Sequence, residues 1–343
     1  MERAKRKISH IEEVIKQGQT TLNSFDEMEV IHQSLTHLNW DQVSLRTQCG
    51  ELSLSSPLFI NAMTGGGGKK TEEINRNLAA AAKTKNIAMA VGSQMSALKD
   101  ETEKKTYEVV RKENPNGVVI ANIGSEASVD QALRAIDMLE ANALQIHLNV
   151  MQELIMPEGD RDFSERLKNI EQIREHVSIP LIIKEVGFGI SKESAKMLKE
   201  IGIQYIDVGG KGGTSFSVIE NNRRDEHLQS FNTWGIPTLI SLKEVSFAYP
   251  DVNLIASGGV RHGLDGVKAL ILGARMFGIA GPMIRTLMED GFDSLLTKID
   301  SIHDEIKIAM VTLGADHISK LNNSPHVLYG RTKEWIEQRT KNV

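Results

Sequence analysis

Short apolar runs, each ending in glycine or a small polar residue and most followed by a helix-compatible stretch, recur along most of this chain. They fall at residues 57–62, 87–91, 118–123, 144–148, 181–184 and 205–208, then in the run that starts at Leu254 and in 276–279. Runs of this length with no polar face read as parallel strands buried on both sides. Between them the helical signals are a periodic stretch at 72–83, a good N-cap at Ser128 ahead of a periodic segment to Glu140, and a pattern beginning near Leu264. The patch at 236–245 competes for a strand, but Leu239, Leu242 and Val245 fit a helix that starts at Pro237. Eight strands with crossover helices predict a (β/α)8 TIM barrel with an N-terminal extension and C-terminal helices. The expected division is an extension over 1–56, with a mobile basic segment at 1–10, and one barrel domain over 57–343 that includes helical stretches at 282–313 and 333–339. Residues 20–56 are expected to be irregular, with short extended pieces.

Composition narrows the setting. A chain of 343 residues can bury one large core, and its 28 glycines against 8 prolines suit many tight strand-to-loop junctions. The net charge of −5 gives no global basic field, so neither nucleic acid nor a membrane is expected as a partner. No apolar run approaches the ~20 residues of a membrane-spanning helix. Cys49 is the one cysteine, which excludes an intrachain disulfide and favours a reducing, cytoplasmic setting.

The unusual residues cluster at the strand ends, where barrel enzymes place their sites. Ser257, Gly258, Gly259, Val260 and Arg261 follow the seventh strand, and Ala280 and Gly281 follow the eighth; loops of this kind deliver backbone N–H groups to one phosphate. The first strand ends in Met63, Thr64 and four glycines, the second in Ser93, the third near Asn122, and the sixth in a glycine run up to Thr214. These amide, hydroxyl and glycine positions suit the edge of a flat heterocycle, and FMN fits. Lys184, closing the fifth strand, would then lie near the N1/C2 edge of the ring, the rival role being a Schiff-base nucleophile. The fourth strand ends most polar of all, in His147, Asn149, Gln152 and Glu153, where a carboxylate beside a diphosphate could hold Mg²⁺. His303, His317 and His326 read as structural or exposed. Arg6, Lys7 and His10 form a local cation cluster, read either as a solvated tail or as a segment closing over an anionic substrate.

These residues together resemble the type 2, FMN-dependent isopentenyl-diphosphate isomerases. The likeness covers nearly the whole chain and is carried by Arg6, Lys7 and His10, by Ala62 to Gly66, by Gly92 to Gln94, and by Ala121 to Gly124. It continues with His147 to Asn149, Gln152 and Glu153, with Lys184 to Gly187, with Gly209 to Thr214, and with Ser257 to Arg261, Ala280 and Gly281. The glycine loops are common to many FMN barrels; the fourth-strand cluster joined to the basic pair is specific.

The resemblance implies that Ala62, Met63, Thr64, Ser93, Asn122, Lys184, Thr214, Gly258, Gly259, Val260, Arg261, Ala280 and Gly281 hold FMN. It implies that Arg6, Lys7 and His10, with Asn149 and Gln152, bind substrate, and that Glu153 holds Mg²⁺. The reaction implied interconverts isopentenyl and dimethylallyl diphosphate, with NADPH reducing the flavin in a separate step and the chain assembling as a tetramer or octamer. His147, Gln152 and Lys184 are the expected catalytic set, the reduced flavin acting as acid and base. Two other readings stand beside it. An FMN-dependent 2-hydroxy-acid oxidoreductase would need a histidine base and arginines near strands six and seven, where Arg223, Arg224, His227 and His262 lie, the first three reading as surface. A non-catalytic flavin-binding scaffold would leave the N-terminal cations a solvated tail.

Overall fold

In the computed structural model, which describes residues 23–63 and 67–340, each apolar run becomes a strand of one closed barrel. Ahead of it lie three short strands, β1 (Met28–Val30), β2 (Thr47–Cys49) and β3 (Leu52–Leu54). The barrel strands are β4 (Leu58–Ile60), β5 (Ala88–Ala90), β6 (Val119–Gly124), β7 (Ala143–Leu148), β8 (Leu181–Glu185), β9 (Tyr205–Asp207), β10 (Asn253–Ser257) and β11 (Met276–Ile279). They pair in parallel in chain order, and β11 closes on β4. The patch at 236–245 is indeed helical, over Thr238–Ala248 after Pro237.

Alternation along each strand sorts the side chains into two cores. Leu58, Met89, Val119, Leu144, Ile183 and Ile206 face outward into the large core shared with the helices. Phe59, Ala88, Ile120, Ala143, Ile182, Tyr205, Ile255 and Met276 form a second, inner cluster, completed by Cys49, Leu52 and Leu54 from the β2–β3 hairpin. The hairpin therefore plugs the end of the barrel opposite the expected site. One step further along, the inward positions turn polar: Asn61, Asn122, Gln145, Lys184, Asp207 and Ser257, all buried.

The expected extension is tied to the far end of the chain. β1 pairs antiparallel with β12 (His326–Leu328), and the Glu27 carboxylate accepts from the Thr332 backbone N–H at 2.7 Å. The helical stretch expected over 282–313 is two helices, Gly281–Asp290 and Phe292–Leu313, because Gly291 takes φ +88°. The stretch expected at 72–83 runs longer, over Gly68–Lys85, and ends at Asn86 in the left-handed region. Among the described residues no helix is long and apolar enough to cross a membrane.

Candidate active site

The strand ends converge on one cavity, lined by residues at or just beyond the ends of all eight barrel strands. Of the residues expected to hold FMN, Ala62, Met63, Ser93, Asn122, Lys184, Thr214, Gly258, Gly259, Val260, Arg261, Ala280 and Gly281 all line it. His147 and Gln152 line it too, whereas Asn149 and Glu153 lie beside it. Thr64, Arg6, Lys7 and His10 lie outside the described residues.

The glycine floor is built by backbone packed on backbone. Gly258 sits at φ +91°, and a Cβ there would come within 1.9 Å of the Gly210 carbonyl oxygen. Gly259, at φ +75°, would bring its Cβ within 2.7 Å of the Gly212 carbonyl carbon. Only glycine satisfies both the positive φ and the close approach. The loop after β10 is thus interleaved with the loop after β9, and the helix Gly281–Asp290 presents its first turn to the same cavity. Such a cradle fits a phosphate group.

Arg261 lines the cavity with its guanidinium gripped by carboxylates. Its Nε donates to Asp265 Oδ2 at 2.8 Å and its Nη2 to Asp26 Oδ1 at 2.6 Å, so two carboxylates hold the guanidinium. Hydrogen bonds to Asp265 and Asp26 raise its pKa further. Asn23 Nδ2 donates to the Gly259 carbonyl oxygen at 2.6 Å. Together these contacts fasten the phosphate loop to the segment ahead of β1.

Lys184 is 7% exposed, and its Nζ donates to the Glu185 carbonyl oxygen at 2.5 Å. The loop just beyond that carbonyl is held by the Glu185 side chain, whose Oε2 accepts backbone N–H groups from Val186 at 2.6 Å, Gly187 at 2.8 Å and Phe188 at 2.5 Å. Burial pushes the Glu185 carboxyl up to about 7, against the pull of those donors and of Lys184. Glu185 is thereby the brace of the loop that carries the lysine.

At the end of β7, His147 Nδ1 meets Asn122 Oδ1 at 2.9 Å. Asn149 Nδ2 donates to Glu153 Oε1 at 2.7 Å, and the Asp160 N–H to Glu153 Oε2 at 2.9 Å, which hold that carboxylate in place. Among the described residues no group of three or more His, Cys, Asp or Glu could hold a metal. A single carboxylate fits Mg²⁺ when substrate phosphates and water supply the other ligands.

Sequence reasoning missed Glu220. It is fully buried, accepts from Gln152 Nε2 at 2.9 Å, and pairs with Arg223 Nη1 at 2.5 Å. Arg223, read as surface, is exposed but also grips Glu158, so it braces the cavity wall; Arg224 Nη1 reaches the Ile155 carbonyl at 2.7 Å, and His227 is exposed. The available signal was a lone glutamate in the helix Phe216–Asn221, directly after the β9 glycine loop. His303 meets Ser56 Oγ at 2.9 Å, His317 lies beside Asp316, and His326 bonds the Ser324 carbonyl; none lines the cavity.

A model of the FMN-dependent dehydrogenase family matches residues 112–328. The isopentenyl-diphosphate delta-isomerase of Geobacillus sp. (strain WCH70) is 54% identical over 339 residues, covering 99% of this chain and 97% of that one. Proteins of the same name from Bacillus cereus (strain ATCC 10987 / NRS 248) and Bacillus pumilus (strain SAFR-032) are 52% and 50% identical, over 97% and 96% of their lengths and 99% of this chain. Among solved structures, mandelate oxidase superposes with a TM-score of 0.65 at 17% identity, over 95% of this chain and 97% of its own. A mutant flavocytochrome b2 with pyruvate bound gives 0.68 at 18% identity, over 91% and 78%. At those identities the likeness is one of fold.

Proposed function

The chain belongs to the isopentenyl-diphosphate delta-isomerase family and carries an FMN-dependent dehydrogenase domain, and we propose that it interconverts isopentenyl and dimethylallyl diphosphate with FMN held reduced and Mg²⁺ on the diphosphate. The observation that carries this reading is Lys184, a buried ammonium set among glycine loops fit for a flavin phosphate and ring. When bound, reduced FMN supplies the acid and base that move a proton onto and off the alkene. Lys184 stabilises negative charge on the ring edge, in a site where low dielectric magnifies the effect. The backbone of the Gly258–Val260 loop and the first turn of the helix at Gly281 hold the phosphate. Ala62, Met63, Ser93, Asn122 and Thr214 line the ring.

Gln152 orients substrate: Glu220 takes an N–H of its amide, fixing the plane of the group, and Arg223 pairs with Glu220 from the other side. His147 takes part in proton movement at Nε2. Glu153 holds Mg²⁺ against the diphosphate, Asn149 beside it contacts substrate, and Arg6, Lys7 and His10 bind the diphosphate. NADPH would supply the electrons that keep the flavin reduced, and the protein is cytoplasmic and homo-oligomeric, a tetramer or octamer. We also propose that residues 57–343 form a single barrel domain, with 1–56 as its extension.

The test is direct. The FMN-loaded protein, reduced and mixed with isopentenyl diphosphate and Mg²⁺, is expected to form dimethylallyl diphosphate, and 5-deaza-FMN to support little turnover. No product from the reduced holoprotein, with flavin bleaching by lactate or glycolate instead, would transfer the chain to the 2-hydroxy-acid oxidoreductases.

A further inference from the structure

The polar layer inside the barrel has a direction, and the direction ends on His147. We infer that Gln145 is a positioning residue that decides which nitrogen of His147 carries the proton, through a line of amides anchored at Asp207. The inference rests on the reading of His147 as a group that moves a proton in the isomerisation.

At one end of the line the roles of the atoms are fixed. Asp207, fully buried at the end of β9, accepts from Asn61 Nδ2 at 3.0 Å, from Ser257 Oγ at 2.6 Å and from the Gly209 N–H at 3.2 Å. The Ala62 backbone N–H, which can only donate, bonds Asn61 Oδ1 at 2.7 Å. Two independent partners therefore orient the Asn61 amide the same way. Its oxygen is what Gln145 meets, so Gln145 must offer Nε2, at 3.3 Å. That leaves Gln145 Oε1 to accept from Asn122 Nδ2 at 3.1 Å, and leaves Asn122 Oδ1 to face His147 Nδ1 at 2.9 Å.

An oxygen acceptor at that distance requires a hydrogen on Nδ1, in the neutral ring as in the protonated one. Nε2 is then the nitrogen that takes up and releases a proton. Glu126, paired with Arg166 at 2.9 Å, is a charged neighbour of the ring, but it does not meet Nδ1, whose partner is Asn122. Gln145 is itself fully buried and does not line the cavity, so its effect on His147 passes through Asn122. A carboxylate that fixes a histidine tautomer by a direct bond is a known device. Here the carboxylate would act three amides away.

The experiment is ring ¹⁵N NMR of the FMN-loaded full chain labelled in histidine, with the His147 signal assigned by its loss in His147→Asn. At a pH where the ring is neutral, wild type is expected to show a protonated Nδ1. Gln145→Leu frees the Asn122 amide to turn, and a protonated Nε2 signal is expected to appear, with kcat for isomerisation down by roughly 10–100-fold and KM little changed. In Gln145→Glu a neutral carboxyl can donate to Asn61 Oδ1 and accept from Asn122 Nδ2, so the wild-type Nδ1 signal is expected to persist. A protonated Nε2 in wild type, or an unaltered signal in Gln145→Leu, would overturn the inference. Should Gln145→Leu not fold, the wild-type and Gln145→Glu spectra still decide it. Because the spectra need no substrate, a wild type without isomerase activity would sink the catalytic reading and leave the tautomer result standing.

Discussion

Two layers of side chains share the inside of the barrel, two residues apart on the same strands, and they are built on opposite terms. The lower layer is apolar and closed by the β2–β3 hairpin, so it holds the barrel together. In the upper layer Asn61, Asn122, Gln145, Lys184, Asp207 and Ser257 are as deeply buried, yet each has a hydrogen-bond partner. Burying so many polar groups is tolerable only because they satisfy one another. The difference teaches that here depth does not separate structure from chemistry. Position along the strand does.

The sharpest way to break the contrast is to move polarity one layer down. Ile182, fully buried below Lys184, has only apolar neighbours in its cluster apart from the Tyr205 and Cys49 heads. Ile182→Asn would lose apolar burial and leave an amide without partners, so unfolding in urea should show a loss of about 3–5 kcal/mol. FMN bound by the surviving folded fraction should keep its affinity. A variant as stable as wild type would mean that the lower layer is wet.

The upper layer should betray itself by pH. Burial raises the Glu185 carboxyl to about 7 in the folded chain, against its ordinary 4.5. Below about 4.5 both states hold the proton, and the stability of the neutral form is complete. Between 4.5 and 7 the unfolded chain releases its proton first, so stability falls as pH rises and levels off above 7. The loss across that window is about 3 kcal/mol, and Glu185→Gln should flatten it. Denaturation midpoints of the two proteins at pH 5 and pH 8 test this; parallel curves would exclude Glu185 as the source.

At the bottom, a polar atom of the lower layer has a structural use. Tyr205 Oη accepts the Glu51 N–H at 2.9 Å and packs where a Cβ on Gly50 would sit. Tyr205→Phe should cost about 1 kcal/mol and leave FMN affinity untouched. A change in flavin binding would show that the two layers communicate.

Much of this was legible in the chain, for physical reasons that also mark the limit. A parallel strand buried on both faces is a continuous apolar run, which is why every barrel strand could be read. Which inward side chains meet is set by closure of the barrel: Asn61 and Gln145 are 84 residues apart, and nothing local says that they touch. β1 is three residues long and finds its partner in β12, some 300 positions on, so the chain announced only short extended pieces there and not their pairing. Arg261 sits in the phosphate loop by sequence, but Asp26, 235 residues away, holds one side of its guanidinium. Arg223 read as surface and Glu220 went unnoticed because the wall they brace is assembled from the β7 and β9 ends.

That long reach from Asp26 to Arg261 yields the smallest effect and a test of where the site's support ends. The Arg261 hydrogen bond holds the Asp26 carboxyl below its ordinary value, so its contribution is present above about 3.8 and lost as pH falls below that. Asp26 is half exposed, with a side-chain exposure of 51%, and solvent screening limits the pair to a few tenths of a kcal/mol. Asp26→Asn should therefore lower the melting temperature at neutral pH by about 1 °C, and by less in high salt. Arg261 would keep its bonds to Asp265, and the glycine loop its bond to Asn23, so FMN affinity should change little. A large fall in FMN affinity with the melting temperature unmoved would mean that the segment ahead of β1 shapes the phosphate cradle itself, and the boundary between the binding layer and its scaffold would have to be drawn outside the barrel.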